Sequence, residues 1–347
     1  MSSSTQSFPL QAEPAADDED AETNPELYQR FANLVFSLPS SNGMSHQRLY
    51  RHEQGWHSNQ DPMVGAMVAD ACFAARRSDV LVATAPKSGT TWMKALLYAT
   101  VHRGEHPVDA AAAGGHPLNS IGPHECIKFL ELQLYSRDRI PNLDELPDPR
   151  LFSTHLPFPA LPRTIVPSGC KIVYVCRDPK DVFVSMWSFA NKFQVWDGQE
   201  PLSVEAAAEW FCDGLTTFGP HWDHVLGYWH AHVAYPERVL FFRYEEMQRD
   251  PAAHVRRLAE FVGRPFSATE EEDGIVHAIV RLCGFEHMNG LQATKSGKTE
   301  MVMGTVENGW FFRRGEVGDW ANHLTPEIAR RIDAVTEAKF KDSGLSI

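Results

Sequence analysis

The chain has 347 residues, of which 43% are hydrophobic, and its 32 Lys and Arg face 45 Asp and Glu, which gives a formal net charge of −13. This balance argues against general nucleic-acid binding, which needs a basic face, and no run approaches the roughly 18 apolar residues that span a bilayer. The first residues lack the basic start and apolar centre of a secretory signal, and the acidic residues that follow do not fit a transit peptide. The sequence therefore predicts a soluble cytoplasmic protein with neither a nucleic-acid nor a membrane partner.

One folded domain, residues 27–347, is predicted to follow a disordered acidic tail, residues 1–26. The tail is rich in Asp, Glu, Ala and Pro and has no Lys or Arg. Large α/β folds often continue as one unit beyond about 200 residues, so the length does not require a second domain. Residues 26–38 fit a short amphipathic helix, residues 51–63 an irregular aromatic segment, and residues 110–115 a loop of small residues.

A short apolar run at residues 80–85 leads into Pro-Lys-Ser-Gly-Thr-Thr-Trp at 86–92, and apolar residues then recur at helical spacing. The run is too short for a helix and is nearly all apolar, as expected of a parallel strand buried on both faces. The pattern predicts a strand, a phosphate-binding loop and a helix that begins near Thr91 or Trp92.

The predicted loop has the chemistry of an anion site. Gly89 lets the backbone approach a ligand, Lys87 adds a positive charge, and hydroxyls come from Ser88, Thr90 and Thr91, next to the free N–H groups of the helix. We expect it to bind a phosphorylated nucleotide, the alternative being an ordinary polar turn. In the usual loop, Gly-x-x-x-x-Gly-Lys-[Ser/Thr], the Lys follows the second Gly, whereas Lys87 precedes Gly89. This order argues against an ordinary ATPase or GTPase.

Further strands are predicted at residues 151–154, 171–176 and 239–243, with helices between them. This spacing is typical of an open parallel α/β sheet, in which ligands bind beyond the carboxyl ends of the strands. The residues that follow each strand are therefore the first candidates for a binding site.

Arg177 stands at the carboxyl end of the strand at 171–176. Asp178 and the proline after it are a helix-start signal, and Ser185 lies about two turns into that helix. The Arg fork and the Ser hydroxyl can together hold a second phosphate group. The alternative is a surface ion pair between Arg177 and Asp178 or Asp181.

A third candidate loop, residues 311–320, reads Phe-Phe-Arg-Arg-Gly-Glu-Val-Gly-Asp-Trp. Gly315 and Gly318 permit tight turns, and the aromatic residues at each end can anchor the loop in the core. Arg313 and Arg314 can then wrap a phosphate. Alone this loop is weak evidence for a phosphate site, and the evidence is stronger in combination with the first two motifs.

With these three motifs in this order, the sequence closely resembles the cytosolic sulfotransferases from about residue 50 to the C-terminus. Leu-Phe-Ser-Thr-His-Leu-Pro at 151–157 and Glu-Ala-Lys-Phe at 337–340 are more similar to the plant branch than to the animal one. The resemblance implies the sulfotransferase fold, an α/β fold with a P-loop-like open parallel β-sheet flanked by helices. It also implies transfer of a sulfuryl group from 3′-phosphoadenosine 5′-phosphosulfate (PAPS) to an acceptor hydroxyl, which leaves 3′-phosphoadenosine 5′-phosphate (PAP).

The resemblance assigns roles to the matching positions of this chain. Lys87 would contact the phosphosulfate bridge, and residues Ser88, Gly89, Thr90 and Thr91 would cradle the 5′-phosphate. His155 would be the general base that takes the proton of the acceptor. The remaining nucleotide contacts would be Trp92 and Phe285 on the adenine faces, Tyr244 on its edge, and Arg177, Ser185, Arg313, Arg314 and Gly315 at the 3′-phosphate. From its own residues alone, His155 is better explained as a packed histidine beside Pro157, and only its place in the matched segment favours the catalytic role.

Three positions depart from the family pattern. Ser153 stands where animal members have a Lys, which plant members commonly lack, so no loss of activity is expected. Gly284 stands where a Ser is usual, which removes one possible hydrogen bond to the nucleotide. Residues 321–330 have lost the Lys, Val and Glu of the animal dimer signature, and Pro326 fixes φ where the Val should be. A monomer is therefore predicted.

The acceptor is predicted to be a small hydrophobic molecule with a hydroxyl group, of the flavonoid, phenolic, steroid or oxylipin type. Candidate pocket residues are Trp56, His124, Phe158, Trp187 and Phe189. No metal is expected, because the paired histidines near residues 221–232 have no Glu or Cys at a metal-site spacing. Two rival functions stay open: a kinase-like phosphotransferase that uses Mg-ATP, and a binding protein without turnover.

Overall fold

The computed structural model describes residues 22–45, 47–108 and 115–347. Most of the predicted tail at 1–26 and nearly all of the small-residue loop at 110–115 lie outside the described residues. The last residues of that tail are described, and they form a short strand and the start of a helix.

The strands of the described residues are, in chain order, β1 (Glu22–Thr23), β2 (Ser40–Ser41), β3 (Leu49–Arg51), β4 (His57–Ser58), β5 (Val80–Thr84), β6 (Arg139–Ile140), β7 (Leu151–Thr154), β8 (Lys171–Cys176), β9 (Val239–Arg243), β10 (Lys298–Met301) and β11 (Gly304–Glu307). The helices are α1 (Pro25–Ser37), α2 (Gln60–Cys72), α3 (Thr90–Val101), α4 (Pro117–Ser120), α5 (Pro123–Cys126), α6 (Ile165–Ser168), α7 (Pro179–Trp196), α8 (Val204–Cys212), α9 (His221–Ala234), α10 (Tyr244–Arg249), α11 (Pro251–Phe261), α12 (Ala268–Glu272), α13 (Ile275–Leu282), α14 (Phe285–Gly290), α15 (Gln292–Lys295) and α16 (Pro326–Phe340).

A parallel sheet of four strands, in the order β7-β5-β8-β9, forms the centre of the molecule. After β5 the chain adds β7 on one side, and it then returns to add β8 on the other side. The strand order therefore reverses beside β5, and a crevice opens there beyond the carboxyl ends of the strands. Three antiparallel units, β2-β3-β4, β1-β6 and β10-β11, lie outside this sheet.

Two layers of helices cover the faces of the sheet. Because side chains alternate along a strand, Val80 and Val82 of β5 pack into the layer that contains α3, α11 and α13. Leu81 and Ala83 pack into the opposite layer, which contains α2, α7, α9 and α16. All five residues of β5 are buried, as a strand covered on both faces must be. Within the described residues, we find no helix that is both long enough and apolar enough to cross a bilayer.

The sequence located the central elements correctly. The strands at 151–154, 171–176 and 239–243 have the predicted bounds, while α3 begins one residue before the predicted start and α1 is shifted by one residue. The prediction of an irregular segment at 51–63 was wrong, because these residues include β4 and the first turn of α2. A strand of two residues shows no periodicity, and α2 is buried on most sides, so its apolar residues do not mark one face.

A buried ion pair joins the amino ends of β5 and β7. Arg150 donates from Nε to Asp79 Oδ1 at 2.8 Å and from Nη2 to Asp79 Oδ2 at 2.7 Å, and both side chains are at most 3% exposed. The guanidinium also donates to the carbonyl oxygens of Ala74 and Leu143. Its donors are thus satisfied only while the carboxylate is present.

Asp79→Asn is expected to lower the free energy of unfolding by about 3 kcal/mol, because it leaves a buried guanidinium without its counter-charge. Urea denaturation measures this change. The matched control is Asp213→Asn, which breaks the exposed pair with Arg331 and should cost less than about 1 kcal/mol. Equal effects of the two substitutions would contradict the assignment of Asp79 as a structural anchor.

Candidate active site

The loop between β5 and α3 is shaped by two residues in the left-handed region. Lys87 has φ 68° and Gly89 has φ 104°. A Cβ atom at Gly89 would lie 2.7 Å from Cδ2 of Tyr244, so only glycine permits this contact between the loop and the start of α10. Gly89 is also the residue before α3, whose first N–H groups are therefore free to bind an anion. The Ser88 hydroxyl is buried without a hydrogen-bond partner among the described residues.

Lys87 carries its amine into a buried, positively charged region. Its Nζ lies 4.0 Å from the centroid of the Phe189 ring. Burial, and then the charges of Lys192, Arg177 and Arg313, lower the pKa of Lys87 to about 7. A bound anion would raise the pKa of Lys87 again, so this lysine would carry its full positive charge when a phosphate lies in the loop.

His155 directly follows β7, with its ring held in one orientation. Nδ1 lies 2.8 Å from the carbonyl oxygen of Thr84, which can only accept, so this nitrogen carries the proton. Nε2 is then an acceptor, and it has no hydrogen-bond partner among the described residues. The ring lies between those of Phe129 and Phe218, with centroids 4.6 and 5.6 Å away. Burial lowers the pKa of His155 to about 3, so the imidazole is neutral and able to accept a proton.

A buried carboxylate fixes the backbone at this histidine. Glu131 accepts from the backbone N–H of His155 at 2.7 Å and from the Thr154 hydroxyl at 2.9 Å. His224 donates from Nε2 to the carbonyl oxygen of His155 at 2.9 Å, so Nδ1 of this neutral ring accepts from the Tyr174 hydroxyl. Sequence reasoning missed Glu131 because it lies in a single π-helical turn, far along the chain from the residues it supports.

Arg177 lies at the carboxyl end of β8, as the sequence predicted. Its guanidinium is stacked 4.6 Å above the Tyr244 ring, and Nη2 donates to the carbonyl oxygen of Glu316 at 2.7 Å. Nη2 is also 3.6 Å from Asp181, so the alternative ion pair with Asp181 does form, but it is buried rather than at the surface. Nε is buried without a partner among the described residues. Ser185 is buried two turns further along α7, and it lines one cleft together with Arg177.

Residues 313–315 close this part of the site. Gly315 has φ 70°, and a Cβ atom there would lie 2.5 Å from the Phe285 ring. Tyr244 donates from its hydroxyl to the carbonyl oxygen of Gly315 at 3.4 Å. Arg313 and Arg314 both pair with Asp319, Arg314 at 3.6 Å and with its side chain 56% exposed.

Asp319 and Asp181 hold the loop in place, although neither role was predicted from the sequence. Burial alone would raise the pKa of Asp319, but hydrogen bonds from Asn322 and Arg313 lower it to about 2. Asp181 accepts from the backbone N–H groups of Gly318 at 2.7 Å and Trp320 at 3.0 Å. Both carboxylates thus bind groups of the protein itself.

All residues predicted for catalysis or nucleotide binding, except Ser88, line one cleft of about 370 Å³. Trp92 and Phe285 lie at one end of the cleft, where Trp92 packs edge to face on Tyr244 with ring centroids 5.5 Å apart. Lys87 and His155 contact an apolar end of the cleft, because the Lys87 amine lies over the Phe189 ring and the His155 ring packs against Phe129 and Phe218. The apolar end is lined by Met44, Phe129, Leu132, Met186, Phe189, Phe193, Phe218, Met301, Met303 and Phe311.

Of the five residues predicted to line the acceptor pocket, Phe189 and His124 do so, and the other three do not. Trp56 is stacked behind Phe218, and Phe158 packs on Tyr228. Trp187 donates its indole N–H to the carbonyl oxygen of Leu202, because it lies on a different face of α7 from the cleft-lining residues. The methionines of the apolar end were missed, since no sequence pattern connects them.

No cluster of three or more His, Cys, Asp or Glu is arranged to hold a metal ion in the part of the chain that the structure describes. His221 and His224 are both buried in α9, where Tyr174 and the carbonyl oxygen of His155 occupy the ring nitrogens of His224.

Comparison with known proteins identifies the family of this chain. The profile of the sulfotransferase domain family matches residues 77–344. Cytosolic sulfotransferase 16 of Arabidopsis thaliana is 43% identical over 318 residues, which cover 91% of this chain and 92% of the relative. Cytosolic sulfotransferase 8 of the same plant is 42% identical over 317 residues, with the same shares of the two chains covered.

Solved structures give the same result. A putative steroid sulphotransferase of Arabidopsis thaliana has a TM-score of 0.72 and 35% identity, over 98% of this chain and 100% of the other. Mouse sulfotransferase SULT7A1, solved in complex with PAP, has a TM-score of 0.62 and 26% identity, over 85% of this chain and 95% of the other. The chain therefore belongs to the sulfotransferase family, with the plant cytosolic sulfotransferases among its relatives, which confirms the family, enzyme class and fold predicted from the sequence.

Proposed function

We propose that the protein, acting in the cytoplasm through one domain at residues 27–347, transfers a sulfuryl group from PAPS to the hydroxyl of a small hydrophobic acceptor. The observation that carries this proposal is one cleft whose lining contains cationic side chains, a set of apolar side chains, and both Lys87 and His155. The mouse relative solved with PAP supports the identity of the nucleotide.

The cationic end would hold the donor. Trp92 and Phe285 would contact the faces of the adenine and Tyr244 its edge. The residues proposed for the two phosphate groups are Ser88, Gly89, Thr90 and Thr91 at the 5′-position, and Arg177, Ser185, Arg313, Arg314 and Gly315 at the 3′-position. The unpartnered Nε of Arg177, a residue that lines the cleft, supports this arrangement, because buried polar groups normally have a partner.

Charge stabilisation and proton removal would be divided between two side chains. Sulfuryl transfer, like phosphoryl transfer, depends mainly on positioning and on stabilising the leaving group, and Lys87 with the first N–H groups of α3 would supply this. His155 would accept the acceptor proton at Nε2 while Thr84 holds the proton on Nδ1. Neither role requires a metal ion.

The apolar end would hold the acceptor. Its methionine and phenylalanine side chains offer shape and polarisability rather than charge, which suits an uncharged flavonoid, phenolic, steroid or oxylipin. The plant structural relative described as a putative steroid sulphotransferase lies within this range.

His155→Ala is expected to reduce turnover at least a hundredfold, because a general base contributes about 10²- to 10⁴-fold, while the affinity for PAP is retained. Labelled PAPS and labelled Mg-ATP should be tested in parallel on a panel of phenols. Transfer from ATP alone would support the kinase-like rival, and PAP binding without transfer would support the binding protein. A variant that keeps more than about a tenth of the rate would contradict the role of His155.

PAP binding at about pH 8 should take up close to one proton. With a pKa of about 7, Lys87 is mostly neutral there in the free protein, and the bound phosphate favours its protonated form. Calorimetry in buffers of different ionisation enthalpy measures the uptake. Lys87→Arg keeps the charge at all relevant pH values and should abolish it. Equal proton uptake in this variant would show that another group is responsible.

PAPS should be preferred over adenosine 5′-phosphosulfate, which lacks the 3′-phosphate, by about a hundredfold or more in kcat/KM, because several charge-assisted hydrogen bonds depend on that group. Arg177→Ala should remove much of the preference. Arg256→Ala is the matched control, since Arg256 pairs with Glu271 on the surface. Near-equal kcat/KM values for both donors in the unmodified protein would show that the 3′-phosphate site is misassigned.

The protein is expected to sediment as a monomer at micromolar concentration, because the residues of the animal dimer signature are replaced. Pro326 is the first residue of α16, and Thr325 caps this helix by accepting from the N–H of Ile328 at 3.3 Å. A tight dimer that is broken by substitutions at residues 321–330 would contradict the expectation.

A further inference from the structure

Lys94 is a fully buried lysine that the proposed mechanism does not use. It lies on α3, one turn after Thr91, and it is 0% exposed. Its Nζ is 3.1 Å from Nδ1 of His124 and 3.3 Å from the centroid of the Phe129 ring. Lysine is almost never fully buried unless its amine is paired. The hydrogen-bond partner of Lys94 is an imidazole, which carries no negative charge. The burial of this lysine beside His124 is therefore not explained by neutralisation of its charge.

His124 connects this lysine to the cleft. Its Nε2 lies 3.0 Å from Oγ1 of Thr91, and its ring lies between those of Phe129 and Phe311 at 5.6 and 4.1 Å. His124 and Thr91 both line the cleft, whereas Lys94 does not. The three side chains form one hydrogen-bonded row that leads from the interior to the phosphate loop.

Hydrogen-bond chemistry gives this row a direction. Burial, followed by the charge of Lys94, holds the pKa of His124 well below its ordinary value, so the ring is neutral and has a single N–H. Burial also lowers the pKa of Lys94, whereas the charges of Glu131 and Glu125 raise it. When Lys94 is protonated its amine can only donate to Nδ1, which places the single N–H of His124 on Nε2, where it donates to Thr91. The hydrogen of the Thr91 hydroxyl must then point away from His124.

We propose that Lys94 and His124 are positioning residues that fix the Thr91 hydroxyl as a donor to the anion in the cleft. The proposal rests on the proposed function for the identity of that anion, the 5′-phosphate of the nucleotide. Without Lys94 either tautomer of His124 is possible, and Thr91 can donate to Nε2 instead of to the phosphate. The row therefore turns the hydroxyl into a preorganised donor, a group that stabilises charge without reorientation.

A double-mutant cycle tests this coupling, with PAP affinity measured by calorimetry and kcat/KM measured with PAPS. Thr91→Val, Lys94→Met and His124→Phe should each lower both quantities about tenfold, the effect of one hydrogen bond to a charged group. Once Thr91→Val is present, adding Lys94→Met or His124→Phe should change them by no more than about twofold, because the hydroxyl through which they act is gone.

Thr100→Val is the matched control. Thr100 is buried on the same helix, its hydroxyl has no partner among the described residues, and it does not line the cleft. This substitution should leave PAP affinity unchanged. Thermal unfolding of every variant separates a loss of stability from a loss of binding. If Lys94→Met does not fold, His124→Phe completes the same cycle, because it keeps an aromatic ring between Phe129 and Phe311.

Losses that add independently of Thr91 would overturn the proposal and assign Lys94 a structural role. Unchanged PAP affinity in Lys94→Met and His124→Phe would overturn it as well. In both cases the unmodified protein still binds PAP and transfers sulfate, so the proposed function stands. Failure of the unmodified protein to bind PAP would instead overturn the proposed function and this inference together.

Discussion

The close approach of the phosphate loop to the end of β9 is the constraint on which the site depends. Gly89 leaves no room for a side chain against Tyr244, and Gly315 leaves none against Phe285. Tyr244 supports the Arg177 guanidinium on its ring and reaches Gly315 with its hydroxyl. Two glycines with positive φ thus bring three distant parts of the chain, the loop after β5, the end of β8 and the segment at 313–315, around one aromatic side chain. A Cβ at either position would separate them.

Positive charge concentrated in this way must be supported by the rest of the fold. Asp319 pairs with Arg313, and Asp181 lies beside Arg177 while it holds the backbone of the closing loop. Lys87 pairs with no such carboxylate among the described residues, and burial, followed by the repulsion of its cationic neighbours, lowers its pKa. Part of the electrostatic cost of the site is therefore relieved only when an anion binds. A ligand that binds the folded state alone also stabilises it, so the nucleotide would be a structural component as well as a substrate.

The sequence was informative where a local pattern of residues determines the local structure. Apolar runs bounded by turn residues located the parallel strands, and the motifs that follow β5 and β8 located Lys87 and Arg177, because parallel strands place their carboxyl ends at one edge. It failed where the contact is long-range. Glu131 supports His155 from a separate turn, and the methionines of the apolar end come from unrelated segments. The prediction that Trp187 lines the pocket was wrong because it was based on residue type. Whether a residue of α7 reaches the cleft depends on the face of the helix that it occupies.

Burial lowers the pKa of both central side chains. It lowers the pKa of His155 to about 3, which leaves the imidazole neutral, and it lowers the pKa of Lys87 to about 7, which weakens a cation. The first effect keeps Nε2 of His155 unprotonated, and Thr84 fixes the tautomer, but the lower pKa also makes the imidazole a weaker proton acceptor. An anion would reverse the second effect, so a bound donor would complete the charge of Lys87. The cleft would then hold a neutral imidazole and a charged lysine together, with that charge coupled to the nucleotide.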